Sequence, residues 1–303
     1  MDGKRVLVTG GAGFIGSNLA NRLAVDNDVV ALDDCHLGTP ENLDDAVDFR
    51  NKSVLDDELP TDVDVVFHLA AYSSYTMAEE HKREATRVNV EGFVNVVEQA
   101  REDGCDTVVY ASTSSIYGTR TEPSSEELPV EARTCYEASK LARERYGEYF
   151  HDHYGMTLAG MRFFSVYQGY GGAEEHKGEY ANTVAQFTDQ IANGESPKLF
   201  GDGTQTRDFT HVSDVVRALE LAADHELQGI YNVGTGVSYS FNEMVGVINE
   251  ELGTDVEPEY VENPLTVYVH DTLADASKFR QATGWEPEID FEEGVRLVCE
   301  PYE

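Results

Sequence analysis

A chain of 303 residues is long enough to bury one large hydrophobic core or two smaller ones. Its 57 acidic residues outnumber the 22 basic ones, and the formal net charge of −35 disfavours a nucleic-acid or anionic-membrane partner, because both bind basic patches. No signal peptide or membrane-spanning run is recognisable and the four cysteines lack metal-ligand spacing, so a cytoplasmic protein without a metal site is expected.

A glycine-rich turn follows the first predicted strand. RVLVT, residues 5–9, is typical of a buried parallel strand, and the apolar residues of FIGSNLANRLA, residues 14–24, have helical spacing. Glycines between them allow a turn with positive φ and a close approach to a pyrophosphate, while the helix N-terminus offers free N–H groups. We expect a dinucleotide site, although an ordinary tight turn has the same pattern. The residues expected in the dinucleotide site are Gly10, Gly13, Phe14, Ile15 and Gly16.

The second predicted strand, DVVALDD at residues 28–34, ends in two aspartates. Asp33 and Asp34 follow the glycines by about 20 residues, the separation at which an acidic side chain binds the ribose hydroxyls of a dinucleotide. A carboxylate there repels a 2′-phosphate, so NAD is expected as the cofactor and not NADP. The simpler alternative for both residues is a solvated strand end.

Strands and helices keep alternating further along the chain. DVVFHLAA, residues 64–71, and DTVVYASTSSIYG, residues 106–118, are predicted buried strands, and the helical NVEGFVNVVEQARE, residues 89–102, lies between them. This alternation predicts an α/β fold with a doubly wound parallel sheet of the Rossmann type, with its ligand at the carboxyl ends of the strands. The residues expected at those ends are Leu69, Ala70, Ala71 and Thr113.

The next predicted helix, TCYEASKLARERYGEYF at residues 134–150, places Tyr136 and Lys140 four residues apart on one face. A tyrosine with an ordinary pKa of about 10 is a poor base at neutral pH, but a nearby ammonium and a cationic nicotinamide stabilise its phenolate. Thr113 could hydrogen-bond the same substrate oxygen. The alternative is a solvated helix pair in which Lys140 binds Glu137 or Glu144.

The motifs TGGAGFIG, FHLAA, ASTSSIYG and YEASK occur in the order and at the separations found in the extended short-chain dehydrogenase/reductases. GDGTQTRDFTHVSDV, YNVGTG and DTLADASKFRQATGWEP resemble the NAD-dependent nucleotide-sugar epimerases and dehydratases of that superfamily, of the UDP-glucose 4-epimerase type. The resemblance implies an NAD-binding Rossmann domain over residues 1–165, to which residues 207–234 return, and a smaller C-terminal α/β domain that binds a UDP-sugar, over residues 166–206 and 235–303. It also implies a homodimer built on the helices near residues 89–103 and 136–151.

The resemblance implies roles for individual residues. Tyr136 is implied as the catalytic base, Lys140 as the ribose-binding partner that lowers its pKa, and Thr113 as the third member of the triad. Further implied cofactor-binding residues are Ser53, Val54 and Asn89. Further implied substrate-binding residues are Ser165, Asn182 and Arg207, the last because a guanidinium suits a diphosphate.

Three departures from the family pattern concern these ligand contacts. Ser165 stands where an asparagine is usual, and Ser53 stands where an aspartate is usual. ENPLTVYVHD, residues 262–271, replaces the usual RPGD, so no second phosphate-binding arginine is identified.

The residues that follow Thr113 favour one reaction. The related 4,6-dehydratases read Thr-Asp-Glu there, and decarboxylases commonly carry a glutamate, whereas Ser114 and Ser115 cannot act as general acids near neutral pH. We therefore expect a UDP-sugar 4-epimerase, with UDP-glucose and UDP-galactose as the type, that works through a transient 4-keto sugar. A dehydratase, a UDP-glucuronate or UDP-N-acetylhexosamine 4-epimerase, and a non-catalytic NAD sensor stay open as alternatives.

Other features have simpler interpretations. His151 and His153 are expected at the surface, His68 as a satisfied strand-end residue and Trp285 as a packing residue. Residues 169–182 are expected to cross between the domains, where they could close over substrate or form a plain surface connection. The distributed negative charge favours a surface adapted to a salt-rich cytoplasm over an ordinary acidic protein, because salt screens the self-repulsion.

Overall fold

A seven-stranded parallel sheet forms the centre of the computed structural model, which describes residues 1–265 and 267–303. Thr266, within the ENPLTVYVHD segment, lies outside the described residues. Seven strands belong to this sheet, and six more form three two-stranded sheets in the described part of the chain. In chain order they are β1 (Arg5–Thr9), β2 (Asp28–Asp33), β3 (Asp48–Asn51), β4 (Val65–His68), β5 (Thr107–Ala111), β6 (Thr157–Phe163), β7 (Val166–Tyr167), β8 (Lys198–Phe200), β9 (Thr206–Arg207), β10 (Thr210–His211), β11 (Gly229–Val233), β12 (Tyr239–Ser240) and β13 (Glu259–Val261).

The sheet has the order β11-β6-β5-β4-β1-β2-β3, and every neighbouring pair is parallel. From β1 the chain proceeds to β2 and β3 on one side and then to β4, β5 and β6 on the other. The direction of winding therefore reverses between β1 and β4. The predicted doubly wound sheet is confirmed, and its reversal creates a crevice at the carboxyl ends of these two strands.

Ten α-helices lie in the described part of the chain. They are α1 (Phe14–Leu23), α2 (Tyr75–Glu80), α3 (Lys82–Thr86), α4 (Gly92–Glu102), α5 (Cys135–Tyr154), α6 (Thr183–Ala192), α7 (Val212–Asp224), α8 (Phe241–Leu252), α9 (Ser277–Thr283) and α10 (Phe291–Cys299). A π-helical turn at Arg87–Glu91 joins α3 to α4, and 3₁₀ turns lie at Pro40–Asn42, Ser114–Tyr117, Glu175–Tyr180 and Glu300–Tyr302. None of the helices described is long and apolar enough to span a bilayer.

Helices cover both faces of the sheet, because successive side chains of a strand point to opposite faces. Val6 and Val8 pack into a core with α1 and α7, whereas Leu7, between them, packs into a second core with α4 and α5. All three side chains are fully buried, which explains why β1 reads as a continuous apolar run.

The C-terminal half of the chain contributes to the sheet and also builds a smaller core of its own. β11, within residues 207–234, pairs with β6 from Gly229 opposite Ala159 to Val233 opposite Phe163. Side chains from α6, α8 and α10 form the separate core, and Phe187, Phe241 and Val295 belong to it. The domain boundaries themselves stay a prediction.

Two expectations about single residues are met and one is only half correct. Trp285 is buried and donates its indole N–H to the Asp214 carbonyl at 3.1 Å, so it is a packing residue. His151 and His153 are exposed near the end of α5, as expected. His68 shares a 3.0 Å hydrogen bond with the Thr9 hydroxyl through Nδ1, but its buried Nε2 has no partner among the described residues.

Candidate active site

A cavity of about 400 Å³ lies at the carboxyl ends of β1, β2, β4 and β5. The predicted site residues on its walls are Gly10, Gly13, Phe14, Ile15, Gly16, Asp33, Asp34, Val54, Leu69, Ala70, Ala71, Thr113, Tyr136, Lys140 and Ser165. Wall residues that sequence reasoning missed include His36, Lys52, Tyr72, Ser112, His176 and Lys177. The fold thus brings the glycine turn and the tyrosine–lysine helix, over 120 residues apart in sequence, to one cavity.

The glycine turn leaves no room for side chains where the chain passes closest to β4. Gly10 has a φ of +67°, and a Cβ atom on it would lie 2.6 Å from the backbone nitrogen of Ala70. A Cβ on Gly16 would overlap the carbonyl oxygen of Gly10. Gly13 caps α1 without a side-chain hydrogen bond, and the first turn carries no acidic residue. The N-terminal N–H groups of α1 are therefore directed at the cavity with no side-chain acceptor of their own.

Two backbone N–H groups hold the Asp33 carboxylate in place on the cavity wall at the end of β2. Its Oδ2 accepts the N–H of Ala12 at 3.1 Å and its Oδ1 accepts the N–H of Cys35 at 2.9 Å. Burial raises the pKa of Asp33, and these two hydrogen bonds oppose that rise. The carboxylate is held at the end of β2, where the spacing predicted a ribose contact.

Helix α5 starts with a capping box that fixes the position of Tyr136. The Thr134 side chain accepts the N–H of Glu137 at 3.1 Å, and the Glu137 carboxylate accepts the N–H of Thr134 at 3.2 Å. Tyr136, half-buried, then lies on the cavity wall one turn before Lys140, whose Nζ is 5.7 Å from the tyrosine ring centre.

Lys140 is buried and does not form the ion pairs of the simpler alternative. Its ammonium donates to the Ala111 carbonyl at 3.3 Å, while Glu137 serves the cap and Glu144 binds Arg162. A lysine that is only 2 % exposed and faces a cavity is not a surface lysine.

Burial dominates the electrostatics of Tyr136 and Lys140. Burial raises the pKa of the Tyr136 phenol, and the Thr113 hydroxyl and the Arg143 charge oppose that rise. Burial also lowers the pKa of Lys140 well below its usual value, with Arg143 adding to the effect. Desolvation outweighs the neighbouring cations in the protein alone, and a lowering of the Tyr136 pKa by Lys140 stays a prediction.

Arg143 is fully buried and connects α5 to the sheet. The sequence did not predict this role, because the many charged residues of α5 are typical of a helix exposed to solvent. Its guanidinium donates to the carbonyls of Asn89 at 2.6 Å, Ala70 at 2.8 Å and Ala111 at 3.4 Å. Burial lowers the pKa of Arg143 to about 10. The side chain ties α5 to the ends of β4 and β5.

Glu144, the next residue of α5, forms a buried ion pair with Arg162. The Glu144 carboxylate accepts from Arg162 at 2.8 Å and 2.7 Å and from the Ser112 hydroxyl at 2.5 Å. Arg162 also donates to the Tyr117 hydroxyl at 2.7 Å. Since Ser112 is on the cavity wall and precedes Thr113, this network supports the strand end that carries Thr113.

Two residues expected at the cofactor do not line the cavity. Asn89 is buried, and its amide binds the backbone of Tyr72 and the hydroxyl of Ser139, at 2.8 to 3.1 Å. Ser53 accepts the N–H of Leu55 at 3.3 Å. Both side chains organise loops beside the cavity, and the neighbouring Lys52 and Val54 provide its surface.

Two residues expected at the substrate also lie off the cavity wall. Asn182 caps α6 and donates to the Val166 carbonyl at 3.0 Å. Arg207 donates to the Thr206 and His270 carbonyls at 2.7 and 2.8 Å, and its guanidinium lies over aromatic rings of the C-terminal segment. The implied ligand contacts of these residues stay predictions.

Ser165 does line the cavity, with an unusual backbone conformation. Its φ is +28°, in the left-handed region that residues with a Cβ rarely adopt. Asparagine tolerates this region better than serine. The asparagine usual in the family would therefore be the less strained residue here.

The sequence model of the NAD dependent epimerase/dehydratase family matches residues 6–234. The chain belongs to this family. It is 35 % identical over 301 residues to the putative UDP-glucose 4-epimerase of Methanocaldococcus jannaschii, which covers 97 % of this chain and 96 % of the relative.

Solved structures agree with this membership. The UDP-glucose 4-epimerase of Thermotoga maritima with UDP-glucose superposes with a TM-score of 0.92 at 32 % identity, covering 98 % of this chain and 97 % of that one. The UDP-N-acetylglucosamine 4-epimerase of Methanobrevibacter ruminantium in complex with UDP-N-acetylmuramic acid gives a TM-score of 0.92 at 29 % identity, with 99 % and 98 % covered.

The residues present fit NAD, the cofactor of this family. The space that a Cβ on Gly10 would fill is kept open, and the N-terminal N–H groups of α1 are available to a diphosphate. Asp33 presents a carboxylate at the end of β2 for ribose hydroxyls. The ribose and the diphosphate of the cofactor's adenosine half are therefore both provided for.

Proposed function

We propose that the protein catalyses NAD-dependent epimerisation at C4 of a UDP-sugar through a transient 4-keto sugar. The observation that carries the proposal is the position of Thr113, Tyr136 and Lys140 on the wall of the cavity that the glycine turn also lines. A non-catalytic NAD sensor would need the turn and Asp33 but no tyrosine–lysine pair on the cavity wall. The names of the relatives support the same reaction class.

The glycine turn, the α1 N-terminus and Asp33 would hold the cofactor, and Lys140 would bind its nicotinamide ribose. When bound, the cofactor would supply the hydride acceptor as NAD⁺ and the hydride donor as NADH, and NAD⁺ would add a positive charge beside the phenol. The protein's own groups handle the proton. Tyr136 Oη takes the proton of the C4 hydroxyl and later returns it, and the Thr113 hydroxyl hydrogen-bonds the same oxygen. The hydroxyl proton and the C4 hydride are both returned, so atoms and electrons balance over a turnover. C4 is inverted because the 4-keto sugar rotates about its diphosphate linkage and takes the hydride back on its opposite face.

A dehydratase is the weaker candidate because water elimination across C5–C6 needs a further acid and base. Ser114 and Ser115 occupy the two positions after Thr113 and form the 3₁₀ turn there. The Ser115 hydroxyl lies 3.0 Å from that of Thr113. The acidic cavity residues Asp33 and Asp34 lie at the end of β2 and are assigned to the cofactor ribose.

The test compares Tyr136→Phe with Tyr260→Phe, an exposed tyrosine of β13. Each protein is assayed with UDP-glucose, UDP-N-acetylglucosamine and UDP-glucuronate, and NAD binding is measured in parallel. Tyr136→Phe should lower kcat by about 10² to 10⁴-fold and leave NAD affinity intact, whereas Tyr260→Phe should leave both unchanged. Bound NAD without turnover of any of these sugars would support the sensor, and a 4-keto-6-deoxy product would support the dehydratase.

We also infer a homodimer. Tyr146, Tyr149 and Tyr154 leave 40 to 47 % of their surface exposed on α5, one of the two helices expected at the interface. Light scattering tests this assembly.

A salt-rich cytoplasm is the location that we infer from the net charge of −35. Molar salt shortens the Debye length to about 3 Å and screens the self-repulsion of the acidic surface. Circular dichroism in millimolar and molar KCl tests the inference, and equal stability in both would contradict it.

A further inference from the structure

Residues 168–182, which we call the strap, are fastened to the first Rossmann helix. The amides of Gln168 and Asn18 exchange two hydrogen bonds of 3.0 Å each. The His176 ring binds the Asn42 amide at 3.1 Å, and the same amide donates to the carbonyl of Ala12 in the glycine turn at 3.1 Å. The strap is thus attached on both sides of the cofactor end of the cavity.

A buried carboxylate holds the strap in shape. Glu174 is fully buried, and its Oε2 accepts the backbone N–H groups of Gln168 at 2.8 Å and Gly169 at 3.0 Å. Its Oε1 accepts the N–H of Asn182 at 2.5 Å. One side chain therefore fastens the start of the strap to its end, and the residues between them have a fixed position.

Lys177 is the strap residue that this arrangement directs at the glycine turn. It lines the cavity, and its Nζ lies 5.3 Å from the centre of the Phe14 ring, at the start of α1. Within the described part of the chain, this ammonium donates no hydrogen bond and forms no ion pair. Burial lowers the pKa of Lys177, and Glu174 opposes that decrease.

The positive charge around Lys177 favours binding of an anion. The N-terminus of α1 adds its own positive potential and has no acidic residue in its first turn. The nearby Glu174 carboxylate is already occupied by three backbone N–H groups. Two positive groups therefore converge on one part of the cavity without a free carboxylate between them, in a chain where acidic residues outnumber basic ones by 57 to 22.

We propose that Lys177 binds the diphosphate of NAD from the strap side, opposite the N–H groups of α1. The inference depends on the cofactor assigned under the proposed function. A diphosphate also occurs in the UDP-sugar, but the contact with Phe14 places Lys177 beside the glycine turn and favours the cofactor. Lys177 is thereby a cofactor-binding residue that neither the glycine motif nor the YxxxK motif predicts.

The experiment measures the affinities of NAD⁺, ADP, adenosine and UDP by calorimetry at one fixed KCl concentration, after removal of co-purified nucleotide. Lys177→Met removes the ammonium and keeps the length of the side chain. Lys198→Met is the matched control, since Lys198 is exposed and its removal changes the net charge equally. Lys177→Met should weaken NAD⁺ and ADP binding by about tenfold to a hundredfold, as for a charged hydrogen bond, and leave adenosine and UDP unchanged.

Each other pattern overturns the inference in a recognisable way. Equal weakening of ADP and adenosine would mean that Lys177 only holds the strap. Weakening of UDP alone would assign the residue to the substrate diphosphate. Unchanged NAD⁺ binding by Lys177→Met would contradict the inference and leave the proposed epimerase untouched, because that function is decided by sugar turnover.

Discussion

Replacing Glu144 by glutamine should destabilise the protein far more than an ordinary surface substitution. Glu144 and Arg162 leave only 3 % and 4 % of their side chains exposed, and the carboxylate accepts two hydrogen bonds from the guanidinium. A third hydrogen bond comes from Ser112. Glutamine keeps the shape but turns an N–H group toward the arginine and leaves its charge unbalanced in the interior.

The expected cost is about 3 to 5 kcal/mol of unfolding free energy, the value typical of a buried pair broken by removal of one partner. Replacing both residues, in Glu144→Leu with Arg162→Met, should recover most of this loss, because no buried charge is then left alone. The coupling energy between the two positions should accordingly be large and favourable to the intact pair.

Urea unfolding at fixed KCl measures these differences. The matched control is Glu148→Gln, one turn further along α5, where Glu148 and its partner Arg145 have side chains 52 % and 63 % exposed. An exposed pair of this kind contributes about 0 to 1 kcal/mol. If Glu144→Gln and Glu148→Gln changed the unfolding free energy equally, the reasoning from burial would be refuted.

Three further predictions concern the turn, a histidine and the cap of α5. Gly10→Ala should lower the unfolding free energy by about 1 to 2 kcal/mol through the left-handed conformation alone. The added Cβ, 2.6 Å from the backbone nitrogen of Ala70, should also prevent NAD binding. Thermal shift with and without NAD measures both effects, and a normal NAD affinity would contradict the fit. Burial lowers the pKa of His68, so the unfolded chain takes up a proton on this histidine at a higher pH than the folded protein does. The stability contributed by neutral His68 is therefore complete above the unfolded-state pKa of about 6.5 and is lost as the pH falls toward the folded-state pKa. Urea unfolding between about pH 7 and pH 5 should therefore show a steeper loss in the wild type than in His68→Gln, and equal slopes would refute it. Thr134→Ala removes the N-cap and should cost about 0.5 to 2 kcal/mol in urea unfolding, whereas a change within error would show that the capping box is dispensable.

Those parts of the site that depend on local sequence could be predicted. The strand β1, the glycine turn, α1 and Asp33 follow one another along the chain, and their backbone requirements are visible as glycines and apolar spacing. The same holds for Tyr136 and Lys140, which share a helix face because of their spacing. The alternation of strands and helices similarly predicts a doubly wound sheet.

Features that depend on distant contacts could not be predicted in this way. Arg143 and Glu144 lie in a helix so rich in charge that it reads as solvated, yet both are buried because α5 packs against the sheet. Lys177 meets the glycine turn only through the fold of the strap. Asn89 and Arg207 match family positions, but this structure commits them to hydrogen bonds within the protein.

The fastening of the strap bears on how the cofactor comes and goes. An enzyme that restores its oxidant within each catalytic cycle has no need to exchange it between cycles. Here the strap, which lines the cavity beside the glycine turn, is tied by an amide pair to Asn18 and by three backbone hydrogen bonds to Glu174. Slow escape would let one dinucleotide serve many successive substrates, as a resident prosthetic group does.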